Sequence, residues 1–195
     1  VHVLRCFEDD DIQHVANNVD PIADAEVVET ELMLADLDSL EKRVPAAAKR
    51  AAAGDREARA LASVLGQALA LLREGKPARL TVPKDDEEQR LFEQAQLLTA
   101  KPVLYVCNVG EEDAASGNAL SEAVLAKARA EGAQAVVVSA AIEAELVSME
   151  PGERDEYLAS LGLAETGLAR VIRAGYALLG LKTFFTAGPK EARAW

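Results

Sequence analysis

The segment from Lys101 to Ile142 leaves few folds open. KPVLYVCNV is a continuous apolar run of strand length, ALSEAVLAKARAEGA reads as a helix, and QAVVVSAAI is a second β-branched run. Two buried strands joined through a helix run parallel, because the helical crossover returns the chain to the end of the sheet where the first strand began. VHVLRCF supplies a third buried strand, ended by the acidic turn EDDD. The region is therefore predicted to be α/β with a parallel sheet. EPGERDEYLASLGL and ETGLARVIRAGYALLGL close it as helices, the second carrying Leu168, Val171, Ile172 and Leu179 on one face.

Between the first strand and this unit lies a stretch of different period. Pro21 suits a helix start, and Met33, Leu37, Leu40 and Val44 then recur at spacings of 4, 3 and 4, a coiled-coil seam. Pro45 is expected to kink or interrupt the helix, with the seam resuming through Ala48 and Ala51 before Gly54 stops it. Asp55 is the N-cap expected for a second helix, whose seam is Leu61, Leu65, Ala68 and Leu72. The short Gly-Asp link makes the pair an antiparallel helical hairpin over about residues 24 to 75. DDEEQRLFEQAQLLTA reads as one more helix, capped by Asp85 or Asp86.

Charge marks the hairpin out. The chain of 195 residues has a formal net charge of −12, yet residues 41 to 80 carry nine bases against four acids, whereas residues 1 to 40 carry eleven acids and one base. Overall acidity argues against wholesale nucleic-acid binding, and the basic segment is the exception. Its bases include Lys42, Arg43, Lys49, Arg50, Arg56 and Arg59. They form either a contact surface for RNA or the ribosome or simply a solvated helix face. A protein-protein coiled coil is the third alternative, and salt dependence separates it from phosphate contact.

Half the residues are apolar, enough for a well-buried core, but no run approaches the roughly 18 apolar residues of a membrane span. The start VHVLRCF lacks the marks of a signal peptide, so the cytoplasm is the expected compartment. Cys6 and Cys107 sit in apolar runs and are expected to be buried thiols, and His2 and His14 have no companions at metal-ligand spacing, so no metal site is expected from protein ligands alone. The sequence starts without Met, inside a strand, which suggests an internal piece of a longer protein.

In open parallel sheets, ligands lie beyond the carboxyl ends of the strands. Those ends are Cys6-Phe7, Asn108-Val109 and Ser139-Ala140, which line one rim if the strands are neighbours. An Asn there can pair with adenine through its N6 amine and N7. Phe7 offers an apolar contact, and the backbone after Ser139 offers donors. Each also has a plainer role: Asn108 capping a loop, Phe7 in the core, Ser139 capping a helix.

NVGEED resembles the Asn-Lys-x-Asp base-recognition motif of GTP-binding proteins, with Val109 at the Lys position and Glu111 at the Asp position. Together with RCFEDDDIQHV, VSAAIEAEL, ERDEYLASLGL, GLARVIRAGYALLGL and TFFTAGPKEARAW, it is similar to the YchF family, the Obg-like ATPases of the P-loop GTPase superfamily. The resemblance covers essentially the whole chain. It implies part of a P-loop G domain in residues 1 to 38 and 96 to 182, a helical coiled-coil insertion in 39 to 95, and the start of a TGS domain in 183 to 195.

It further implies an ATP-preferring nucleotidase using Mg²⁺ with ATP or GTP and associated with ribosomes. In that reading Asn108 reads the base, Val109 gives a backbone contact, Phe7 packs beside adenine, Glu111 ends the altered motif, and Ser139-Ala140 stand in the last base-recognition loop. Glu111 is a methylene longer than Asp, so guanine is no longer enforced. No G-x-x-x-x-G-K-[ST] occurs: Gly75-Lys76 is followed by Pro77, and Ala70 stands where the first Gly belongs. The phosphate and Mg²⁺ ligands are thus expected upstream of Val1, no residue of the chain is assigned as catalytic, and the chain alone is expected to be inactive.

Overall fold

Three strands, β1 (His2–Arg5), β2 (Leu104–Asn108) and β3 (Gln134–Val138), form a parallel sheet in the order β1-β2-β3 in a computed structural model that describes residues 1–9 and 18–194. Leu4 lies opposite Cys107, which lies opposite Val137, so all three strands end together. His14 and the last two residues of the EDDD turn lie outside the described residues.

The helices of this unit follow the strands as expected: α4 (Ala119–Glu131) lies between β2 and β3, with α5 (Ala140–Val147), α6 (Pro151–Ser160) and α7 (Gly167–Leu179) after β3. Alternation along β2 serves both faces. Leu104 and Val106 pack with Val138 against Val171, Ala174 and Leu178 of α7. On the other face the Tyr105 hydroxyl donates to Glu131 of α4 at 2.9 Å. The apolar face expected on α7 is thus only partly the packed one. Val171 faces the sheet, whereas Leu168, Ile172 and Leu179 are exposed, because the helix carries two apolar stripes and the sheet takes the one through Val171, Ala174 and Leu178. β1 is likewise half-buried: Leu4 points inward and Val3 is exposed. A short antiparallel hairpin, β4 (Phe185–Ala187) with β5 (Ala192–Ala194), closes the chain.

Two compact units emerge: Val1–Ile22 with Val103–Trp195, and Ala23–Pro102. The second holds α1 (Pro21–Ala52) beyond its first residues, α2 (Arg56–Arg73) and α3 (Asp86–Gln94). The Glu41–Arg73 and Arg50–Asp55 ion pairs fix α1 and α2 as antiparallel. Leu40, Val64, Leu65, Ala68 and Leu72 form the core with Leu91 and Phe92 of α3, and Met33, Leu37, Val44 and Leu61 pack against it. α2 is buried over a broader stripe than a coiled-coil seam, with Val64 and Leu69 added.

Pro45 does not interrupt α1. Its ring is exposed, and the carbonyl it leaves without an intrahelical partner can turn to water. The seam continues through Ala47, which is buried, and not through Ala48, which is exposed. Asp55 caps α2 by accepting from the Ala58 N–H at 3.0 Å. That bond, then Arg50, holds its carboxyl below the usual range. Asp85 caps α3 through the Glu88 N–H.

α3 is shorter than predicted, ending at Gln94 and not near Ala100. Gln96 adopts φ 53°, a left-handed conformation that stops a helix. The residues beyond it are gathered by Asp36, which accepts from the Leu98 N–H at 2.8 Å and from the Thr99 N–H and hydroxyl, both at 2.7 Å. Met33 and Leu37 pack against this helical core and Asp36 bonds to the segment after α3, so the compact helical unit runs from Ala23 to Pro102.

Candidate functional site

The common carboxyl ends of β1, β2 and β3 open into a cleft of about 900 Å³. Phe7, Asn108, Val109 and Ala140 line it, as the strand-end argument predicted, and so does Glu111, which the motif resemblance singled out. Ser139 does not. It is 3 % exposed, and among the described residues its hydroxyl has no partner and makes no capping bond to α5. Its carbonyl accepts from the Glu143 N–H, so Ser139 supports the rim from behind.

Asn108 ends β2, and its Oδ1 accepts from the Ala140 N–H at 2.9 Å. This assigns the amide: the oxygen faces a backbone donor, so Nδ2 is the end left to donate, and it has no partner among the described residues. The Ala140 N–H is spent on this bond.

Val109 is 3 % exposed, and its N–H donates to the Val138 carbonyl at 2.9 Å. The backbone contact expected of Val109 can therefore come only from its carbonyl, and its side chain is core and not a wall over a ligand. Glu111 opens a 3-10 turn, Glu111–Asp113, and its carboxylate is exposed.

Phe7 follows the end of β1, beside Asn108. The Arg5 guanidinium stacks over its ring at 4.9 Å from the centroid, and Arg5 Nε donates to the Phe7 carbonyl at 3.0 Å. Behind the rim, Cys6 and Cys107 are free buried thiols that share a hydrogen bond. That bond, then burial, pushes the Cys6 thiol up, so it stays protonated. Tyr157 donates to Glu145, which pushes the phenol up to about 12, with Glu111 adding a smaller contribution.

The cleft is also lined by Glu8, Asp9, Glu112 and Asp113. So much negative charge suits the base and sugar of a nucleotide better than its phosphates. Among the described residues, no group of three or more His, Cys, Asp or Glu is placed to hold a metal ion.

The chain is 47 % identical over 194 residues to the ribosome-binding ATPase YchF of Haemophilus influenzae, covering all of this chain and 53 % of that protein. The corresponding protein of Bacillus subtilis is 43 % identical over 196 residues with the same coverage. The whole chain is thus similar to YchF-family proteins. A solved structure of the Schizosaccharomyces pombe YchF GTPase matches 99 % of it, and 53 % of that chain, with a TM-score of 0.83 at 28 % identity. The chain spans about half the length of the curated relatives it matches. No protein-family model matches it.

Sequence reasoning missed Asn118. Its position before ALSEAV is an N-cap pattern, and that signal was available. What no spacing reveals is that its amide also reaches the Cys6 carbonyl, 112 residues away.

The six basic candidates lie in the helical unit, and they do not form one free surface. Arg43 is half-buried and donates to the Ala95 carbonyl at 2.9 Å, a cation at the end of α3 where the helix dipole favours it. Lys42 pairs with Asp38, and Arg50 with Asp55. Lys49, Arg56 and Arg59 are exposed and make no ion pair among the described residues.

Proposed function

We propose that this chain supplies the base-recognition half of a YchF-type P-loop nucleotidase that prefers ATP to GTP. The observation that carries the reading is the bond from the Ala140 N–H to Asn108 Oδ1 at the mouth of the cleft. It leaves Nδ2 to donate to purine N7 and leaves a lone pair of Oδ1 for the N6 amine of adenine. Guanine presents a carbonyl at that carbon, which would face Oδ1 and find the Ala140 N–H already taken. The exposed Glu111 can still reach a base donor but is too long for the fixed grip of an Asp.

The triphosphate and Mg²⁺ would be held by residues of the whole protein outside this sequence, because the chain carries no Walker A motif. Mg²⁺ would neutralise charge on the β- and γ-phosphates during hydrolysis. The chain alone would not turn over ATP. Residues 1 to 38 and 96 to 182 would belong to the G domain and 39 to 95 to its coiled-coil insertion. Residues 183 to 195 would open a TGS domain, whose first strands β4 and β5 would be. No helix of the described residues is long and apolar enough to cross a membrane, and the protein would act in the cytoplasm.

The reading is tested by titrating labelled ATP and GTP into the full protein and its Asn108→Ala variant. Weakening of both nucleotides supports it; unchanged affinity for both overturns it.

A second reading concerns the hairpin. Relatives are named as ribosome-binding, and Lys49, Arg56 and Arg59 are exposed cations without ion-pair partners among the described residues, suited to RNA phosphates. Replacing these three by Gln in the full protein is expected to weaken ribosome or RNA binding and to lower its salt slope, leaving folding intact. Arg43 and Arg50 are omitted because Arg43 ties α1 to the end of α3 and Arg50 pairs with Asp55, the cap of α2. An unchanged affinity and slope would make the basic face a solvated surface.

A further inference from the structure

We infer that Asn118 is the positioning residue of the cleft, its side-chain amide tying the strand end beside Phe7 to the loop that carries Glu111. The inference rests on the nucleotide reading and adds a residue to it.

The geometry assigns every atom of the amide. Oδ1 accepts from the Ser121 N–H at 3.0 Å, a group that can only donate, so the other end is the amine. That amine donates to the Cys6 carbonyl at 2.8 Å and to Asp113 Oδ2 at 2.7 Å, both acceptors only. Both amide hydrogens are thereby used.

The two acceptors belong to different segments, the end of β1 and the loop after β2, whose neighbouring residues line the cleft. Cys6 precedes Phe7, and its own N–H donates to the Asn108 carbonyl at 2.7 Å. Asp113 closes the turn that Glu111 opens, and its carbonyl accepts from the Gly117 N–H at 2.7 Å. One side chain therefore sets the distance between the Phe7 wall and the Glu111 loop.

The local backbone is built to deliver it. Gly117 has φ 73°, and a Cβ there would lie 2.8 Å from the Ser121 hydroxyl, which accepts from the Asn118 N–H. Asn118 and Ser121 together form a capping box for α4. Capping needs only an oxygen, which Ser or Asp supplies as well. The two amine donors exceed that need, and they are what join the end of β1 to the loop that carries Glu111.

This separates positioning from folding. Asn118→Asp and Asn118→Ser both retain an oxygen for the Ser121 N–H. The first sets a carboxylate against Asp113 and the Cys6 carbonyl; the second is too short to reach either. In the full protein, both variants are expected to keep the parent's helix content while affinity for ATP falls about tenfold. Affinity for inorganic tripolyphosphate, which has no base, should not change. Exchanging the two residues, Asn118→Asp with Asp113→Asn, restores one donor–acceptor pair and should recover part of the loss.

ATP affinity within about twofold of the parent in the folded Asn118→Ser protein, with Asn108→Ala still weakening ATP, would reduce Asn118 to a helix cap and overturn the inference alone. An equal loss for tripolyphosphate would mean general disruption and would also overturn it. If Asn108→Ala has no effect either, the nucleotide reading falls and takes this inference with it.

Discussion

Asp36→Ala is expected to destabilise the helical unit by about 2–6 kcal/mol, because it orphans the Leu98 and Thr99 N–H groups at about 1–3 kcal/mol each. Asp36 is 3 % exposed, so water does not readily replace it. The Thr99 hydroxyl, which Asp36 also holds, accepts from the Ala78 N–H at 3.0 Å, so the loss passes to the turn after α2 as well. Asp36→Asn keeps the shape but turns an amine toward donors, and should recover little. Asp38→Ala, two residues along the same helix, removes only an exposed pair with Lys42 and should stay within about 0.5 kcal/mol. Urea unfolding followed by far-ultraviolet circular dichroism checks all three. Equal midpoints for Asp36→Ala and Asp38→Ala would show that the bonds at residues 98 and 99 carry no stability.

Asn108→Ala should have the largest effect on ligand binding. It removes the Nδ2 donor to purine N7, and with Oδ1 it releases the Ala140 N–H that now holds the mouth of the cleft. A hydrogen bond in a partly dry site together with a lost orienting bond is worth on the order of 1.5–3 kcal/mol, a factor of roughly ten to one hundred in affinity. Both ATP and GTP should weaken, since N7 is common to them. The ATP loss should be the larger, because Oδ1 also faces the N6 amine while the freed Ala140 N–H becomes available to the guanine carbonyl. Equilibrium titration of the two labelled nucleotides into the full protein gives both numbers. A GTP loss greater than the ATP loss would contradict the assignment of the amide.

Much of this was legible because period and spacing are local. The strand–helix–strand alternation fixed the parallel sheet and hence the shared rim on which Phe7, Asn108 and Ala140 meet. The alternation of 4 and 3 along α1 also carried its own correction: continued from Val44 it lands on Ala47, the buried residue, and not on Ala48. Pro45 does not break the helix because it lies on the exposed side, where water can take the carbonyl it leaves without a partner.

The remainder was illegible because it depends on partners far apart in sequence. Nothing near Leu98 announces that a carboxylate 62 residues earlier will end α3. Nothing near Arg43 says it will meet the Ala95 carbonyl and cease to be a free cation. Ser139 holds the N-cap position of α5, but its hydroxyl turns inward and makes no capping bond, which its place in the sequence does not announce. Asn118 was visible as a cap, but its reach to Cys6 requires the folded sheet.

The central claim is that a purine base enters the cleft between Phe7, the Asn108 to Asp113 loop and Ala140. Photolabelling of the full protein with 8-azido-ATP, followed by peptide mapping, tests it most directly. The account predicts label on peptides containing Phe7, residues 108 to 113 or residues 139 to 141, lost when excess ATP competes. ATP-protected label confined to residues 23 to 102, with none at these three places, would contradict it.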